Sequence, residues 1–132
     1  APAIAMTRAT KPIETTFDLV EIIMRATPGS YHHLKIHPAT RTFQALRMTV
    51  NDEVGALKSG LEKAFDHLSH GGRIAVISFH SIEDRIVKLF FKQLIADGKA
   101  VGITKKPIIP TDEEIEQNPR SRSAKLRIIS KI

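Results

Sequence analysis

The sequence has no cysteine and no tryptophan, and only one tyrosine in 132 residues. Without cysteine there is no disulfide framework, no thiolate metal site and no thiol nucleophile, which fits a reducing compartment. No apolar run approaches the roughly 20 residues of a membrane span, and no charged start leads into an apolar signal core. With so few large aromatics, base stacking is not a strong theme. A phosphate-cradling glycine loop is also missing. Such a loop follows a strand and opens a helix, whereas the pair Gly71-Gly72 precedes a strand and reads as a turn.

What is present is ordinary in amount and uneven in placement. Hydrophobic residues make up 42% and charged residues 26%, as in a globular protein with a real core. The net charge is +6, and from Arg120 to Ile132 there are five basic residues (Arg120, Arg122, Lys125, Arg127, Lys131) and no acid. In "NPRSRSAKLR" the serines can donate to phosphate oxygens and the arginine forks match phosphate geometry, which points to RNA or DNA. The competing reading is a charged edge strand that resists aggregation.

Thr15 or Thr16 is expected to cap a helix running to about Ala26, stopped by Thr27-Pro28-Gly29, while residues 1 to 14 carry no clear period. A histidine-rich loop covers Ser30 to Pro38. The longest helical pattern runs from Phe43 to Leu68, and Asn51-Asp52 and Gly55 mark a break near its middle. Arg73 to Phe79 reads as a strand buried on both faces, as in a parallel sheet, because its apolar residues do not alternate strictly. Ser81 is expected to cap the next helix with Asp84 as its capping-box partner; the helix ends at Asp97-Gly98. A short strand broken by Pro107, a capping pattern at Pro110-Thr111-Asp112-Glu113-Glu114 that opens a short helix to about Gln117, and a strand around Leu126–Ile129 complete the chain. The order predicts an α/β architecture whose one interior strand lacks neighbours, the second half of an open domain.

Ligands in such sheets bind beyond the carboxyl ends of the strands, where Phe79-His80-Ser81 falls. His80 and Ser81 are therefore the candidates for a site rim, with capping the simpler role for Ser81. The spaced histidines His33/His37 and His67/His70 lack accompanying carboxylates at ligand spacing, so no metal site is expected. No Ser-His-Asp signature is visible.

Three stretches, "KIHPATRTFQALRMTVNDE", "GGRIAVISFHSIEDRIVK" and "NPRSRSAKLRI", together resemble the carboxyl-terminal part of the ribosomal RNA small subunit methyltransferase H (MraW) family. The likeness runs from about Lys35 to the end. Ile82 stands where members commonly carry leucine. The resemblance implies the second half of a class I, Rossmann-like methyltransferase domain over residues 31–132, with residues 1–30 the end of a helical insert domain. It implies methyl transfer from S-adenosylmethionine to the exocyclic N4 amine of a cytidine in 16S ribosomal RNA, in the cytoplasm. That amine is a poor nucleophile, so such an enzyme must unstack the base and hold the amine in line with the methyl sulfonium. The family's cofactor motifs lie in the other half of its domain, so this chain alone is expected neither to bind S-adenosylmethionine nor to be active. The expected partners are ribosomal RNA or the small subunit, the missing amino-terminal half and, at most, a second copy. By the resemblance, Lys35, His37 and Arg41 face RNA or another domain, and Arg120, Arg122 and Lys125 contact phosphates. The alternative is a stand-alone, non-enzymatic RNA-binding module that uses the basic tail.

Overall fold

The computed structural model describes residues 2–33 and 36–132. The chain forms two compact units, Ala1–Glu53 and Val54–Ile132; the expected boundary near residue 30 falls inside the first.

The first unit is helical. Helix α1 (Pro2–Thr10) lies where no period was legible, because it buries no residue fully. Its half-buried positions are Ala3, Ile4 and Thr7, and the Thr7 hydroxyl bonds the Ala3 carbonyl at 2.9 Å, so the apolar stripe is weak. Helix α2 (Thr16–Ala26) opens as expected on Thr15. The Asp18 amide donates to Thr15 Oγ1 at 3.1 Å, and the Thr15 amide donates to Asp18 Oδ2 at 2.9 Å. The hydroxyl and amide of Thr15 hold the Asp18 carboxyl below its usual range. A 3-10 turn (Gly29–His33) and helix α3 (Thr40–Val50) follow. The long helical pattern does break after Val50, where Asp52 takes a left-handed φ of 46°. The Arg47 guanidinium bridges this corner to Glu53 with contacts of 2.7 and 3.1 Å.

The second unit packs helices on one face of a small sheet. Helix α4 (Glu53–Asp66), whose first residue closes the first unit, supplies Leu61 and Phe65 to the core. Helix α5 (Ser81–Ala96) supplies Val87, Phe91 and Leu94, spaced to lie on one stripe. The strands are β1 (Arg73–Ser78), β2 (Ala100–Gly102) and β3 (Lys125–Lys131). Their order is β1-β3-β2, and β3 pairs antiparallel with both neighbours. Pro107 does not end the pairing outright: Ile108 bridges to Leu126 beyond it. Val87 and Ile129 are the largest fully buried apolar side chains, each worth about 1.5–3 kcal/mol of burial. Phe65 and Phe90 meet edge to face with centroids 6.5 Å apart. At Gly72 a Cβ would lie 2.8 Å from the Ser69 carbonyl, so only glycine lets the chain turn into β1 there.

Among the described residues β3 has a neighbour on each side and β1 pairs on one edge only, the neighbour expected to be lacking. The expectation of a parallel strand buried on both faces is corrected: β1 runs antiparallel to β3, and only one of its faces is buried. Ile74, Val76 and Ser78 point into the core side, while Arg73, Ala75, Ile77 and Phe79 are exposed, with Ile77 at 57% and Phe79 at 53%. Apolar residues on the outward face gave the sequence its unalternating look, although burial along the strand does alternate.

Candidate functional site

Helix α5 starts directly off the carboxyl end of β1, and its first turn settles how the polar cluster there is used. The cap is His80, not Ser81. His80 has extended backbone (φ −141°, ψ 165°), and its Nδ1 accepts the Glu83 amide at 3.4 Å. Glu83 Oε2 accepts the amides of Phe79 at 3.0 Å and His80 at 3.3 Å. Otherwise orphaned donors are thereby satisfied reciprocally. With Nδ1 accepting, a neutral ring carries its proton on Nε2. Nε2 is 3.2 Å from Glu83 Oε1, yet this buried atom makes no hydrogen bond among the described residues. Ser81 is simply the first residue of α5, exposed, flanked by exposed Phe79 and Ile82.

Asp84, expected as a capping partner, faces the sheet instead. Arg127 donates to it from Nε at 2.8 Å and from Nη2 at 3.2 Å, and Lys125 Nζ lies 3.5 Å away. The Asp84 and Arg127 side chains are only 13% and 17% exposed. The hydrogen bond from Arg127 is the main reason the Asp84 carboxyl sits below its usual range, with the nearby charges of Arg127 and Lys125 adding to it. Sequence spacing pointed to the two acids but not to this pair, which joins residues 43 apart.

This reorders the basic tail. Lys125 and Arg127 serve Asp84. Lys131 Nζ donates to the carbonyls of Phe65, Asp66 and Leu68 at 2.9–3.2 Å, closing the end of α4, and sits 5.0 Å from the Phe65 ring centre. Arg120 and Arg122 alone among the five lie in a 3-10 turn (Pro119–Ser123) with both side chains exposed, while Ser121 between them is buried. In the first unit, His37 Nδ1 accepts the Ala39 amide at 3.2 Å just before α3, and Arg41 is exposed in its first turn. Lys35 lies outside the described residues. Among the described residues no group of three or more potential ligands is placed to hold a metal, and no helix is long and apolar enough to cross a membrane.

The end of β1 does not by itself fit S-adenosylmethionine. A carboxylate is needed for the ribose hydroxyls and a glycine loop for close approach. Here Glu83 is taken by two backbone amides, Asp84 by Arg127, and no glycine follows the strand.

Comparison with known proteins matches residues 1–132 to the MraW methylase family. A ribosomal RNA small subunit methyltransferase H of Synechococcus elongatus is 55% identical over 122 residues, 92% of this chain and 40% of that protein. The Rhodopirellula baltica protein of the same name is 54% identical over 125 residues, 95% of this chain and 37% of its own length. That of Deinococcus deserti is 54% identical over all 132 residues, 42% of its length. The chain thus spans about 40% of the length of the curated relatives it matches. A mixed α/β chain matched from end to end by one family model leaves one assignment: it belongs to the MraW methylase family.

Proposed function

We propose that this chain supplies the carboxyl-terminal part of an S-adenosylmethionine-dependent methyltransferase acting on the N4 amine of a cytidine in small-subunit ribosomal RNA. The observation that carries the reading is the family match over the whole chain, with relatives named as ribosomal RNA methyltransferases. The open edge and exposed apolar face of β1 support it, because an unpaired edge beside exposed Ile77 and Phe79 suits a sheet continued by further strands. On this reading β1, β2 and β3 are the late strands of a Rossmann-like methyltransferase sheet, and residues 1–30 end a helical insert.

S-adenosylmethionine supplies an electrophilic methyl group, and it is held by residues of the remaining part. What this chain contributes is position. His80 and Glu83 lock the turn that follows β1, so that Phe79, Ser81 and Ile82 are presented outward at the strand's carboxyl end. His80 is thus a positioning residue and Ser81 the exposed polar group of the rim. Arg120 and Arg122, free of acids in their own turn, take phosphates of the RNA, while His37 and Arg41 belong to an RNA-facing surface of the first unit.

The test is a chimera in which this chain replaces the matching 132-residue segment of the Deinococcus deserti relative. With labelled S-adenosylmethionine and small ribosomal subunits, the chimera is expected to form N4-methylcytidine, and the isolated chain none. A folded chimera that yields no N4-methylcytidine, beside an active parent, sinks the reading.

A further inference from the structure

A second basic region lies beside the tail. Helix α5, strand β3 and the segment after β2 enclose a groove of about 210 Å³, with Arg127, which Asp84 holds, on the β3 side. Its floor includes Phe91 and Ile95, and its rim carries Lys88 and Lys92 from α5 and Lys105 and Lys106 from the segment after β2. All four lysines are exposed, and among the described residues none has an ion-pair partner. The one acid placed to pair with Lys88 along the helix is Asp84, four residues earlier, and Arg127 holds it. No carboxylate among the described residues lines the groove. Four uncompensated cations around one apolar floor repel one another, an arrangement that an anion would relieve.

The size narrows the ligand. Pockets that enclose a small molecule run to about 300–1,000 Å³. This groove is smaller and open, so it suits one stretch of a longer polyanion lying across it. Ammonium groups in a row bind phosphodiesters as point charges without reading sequence.

We infer that the groove bounded by Lys88, Lys92, Lys105 and Lys106 binds the backbone of a single-stranded RNA segment, separately from the end of β1. The inference rests on the ribosomal RNA reading above for the identity of the polyanion. It deepens that reading by giving the RNA a second holding point, on cations the tail does not contain.

The test is fluorescence anisotropy of the 132-residue chain with a labelled single-stranded fragment of small-subunit ribosomal RNA, titrated across a salt series. Lys88→Ala/Lys92→Ala and Lys105→Ala/Lys106→Ala are each compared with the charge-matched Lys58→Ala/Lys63→Ala pair on α4. Each groove pair is expected to weaken binding uniformly across RNA sequences and to flatten the slope of log affinity against log salt by about 0.7 per lysine removed. Inorganic phosphate as competitor should displace the RNA only weakly, because it offers a single charge centre. Equal affinities and slopes for groove and control pairs would overturn the groove, as would loss confined to Arg120→Ala/Arg122→Ala, or complete displacement by dilute phosphate. Absence of RNA binding by the unsubstituted chain at low salt overturns it too. None of these results bears on the chimera, whose methyl transfer is read without any of these variants. Circular dichroism confirms folding, and all four lysines are exposed, so loss of structure is a separable outcome.

Discussion

The tail and the groove are both basic, and they use their charge in opposite ways. In the tail, Lys125, Arg127 and Lys131 are turned inward onto Asp84 and the last carbonyls of α4. In the groove, Lys88, Lys92, Lys105 and Lys106 are exposed, with no acid paired to them among the described residues. A run of like charge in sequence therefore says little about ligand binding until its partners are known. The cluster most visible in the sequence is largely structural, and the cluster left free is assembled from two segments on either side of β2.

Substitutions should separate the two regions by size of effect. Asp84→Ala strands Arg127 in a half-buried site and is expected to cost about 3 kcal/mol, read as a lower urea midpoint with an unchanged slope. The same contact predicts an acid limb. The Asp84 carboxyl is lowered from 3.8 on folding, so its contribution is complete well above 3.8 and fades as pH falls through the lower folded value. Asp84→Asn should remove that part of the pH dependence of stability, and an unaltered acid limb would break the assignment. Lys131→Met keeps the aliphatic stem but loses three carbonyl contacts, for an expected loss of about 1–2 kcal/mol by thermal or urea unfolding. His80→Ala removes the cap of α5 and should cost about 1 kcal/mol, with His80→Asn restoring most of it. At the small end, Lys88→Ala/Lys92→Ala should leave stability within about 0.5 kcal/mol and shift it upward, since like charges four apart on a helix repel. A loss as large as that of Lys131→Met would erase the contrast between the regions.

Much of the fold was legible and the use of its polar groups was not. The cap at Thr15, the Thr111 hydroxyl that accepts the Glu114 amide and caps the short helix Asp112–Gln117, the break at Asn51-Asp52 and the last strand follow from local chemistry. At the start of α5 two capping pairs are offered one residue apart, Ser81 with Asp84 and His80 with Glu83. Serine is the better cap by propensity. The choice falls to His80 because Asp84 is claimed by Arg127, a contact across the fold that local spacing cannot reveal. The outward apolar face of β1 misled in the same way. Ile77 and Phe79 look like core in the sequence, yet no described element of the second unit covers them. The groove left one trace, two lysines at helical spacing without a free acid, but not the return of Lys105 and Lys106 beside them.

The place of β3 in the sheet has a consequence for folding. The last of the three strands in chain order is the one both others need: among the described residues β1 and β2 each pair in the sheet only with β3. Arg73 must wait for Ser130, and Ala100 for Lys131, before either ladder can close. A chain emerging amino end first therefore carries β1, α5 and β2 with both of these ladders open, their apolar surfaces free for chaperones or wrong pairings, until β3 follows.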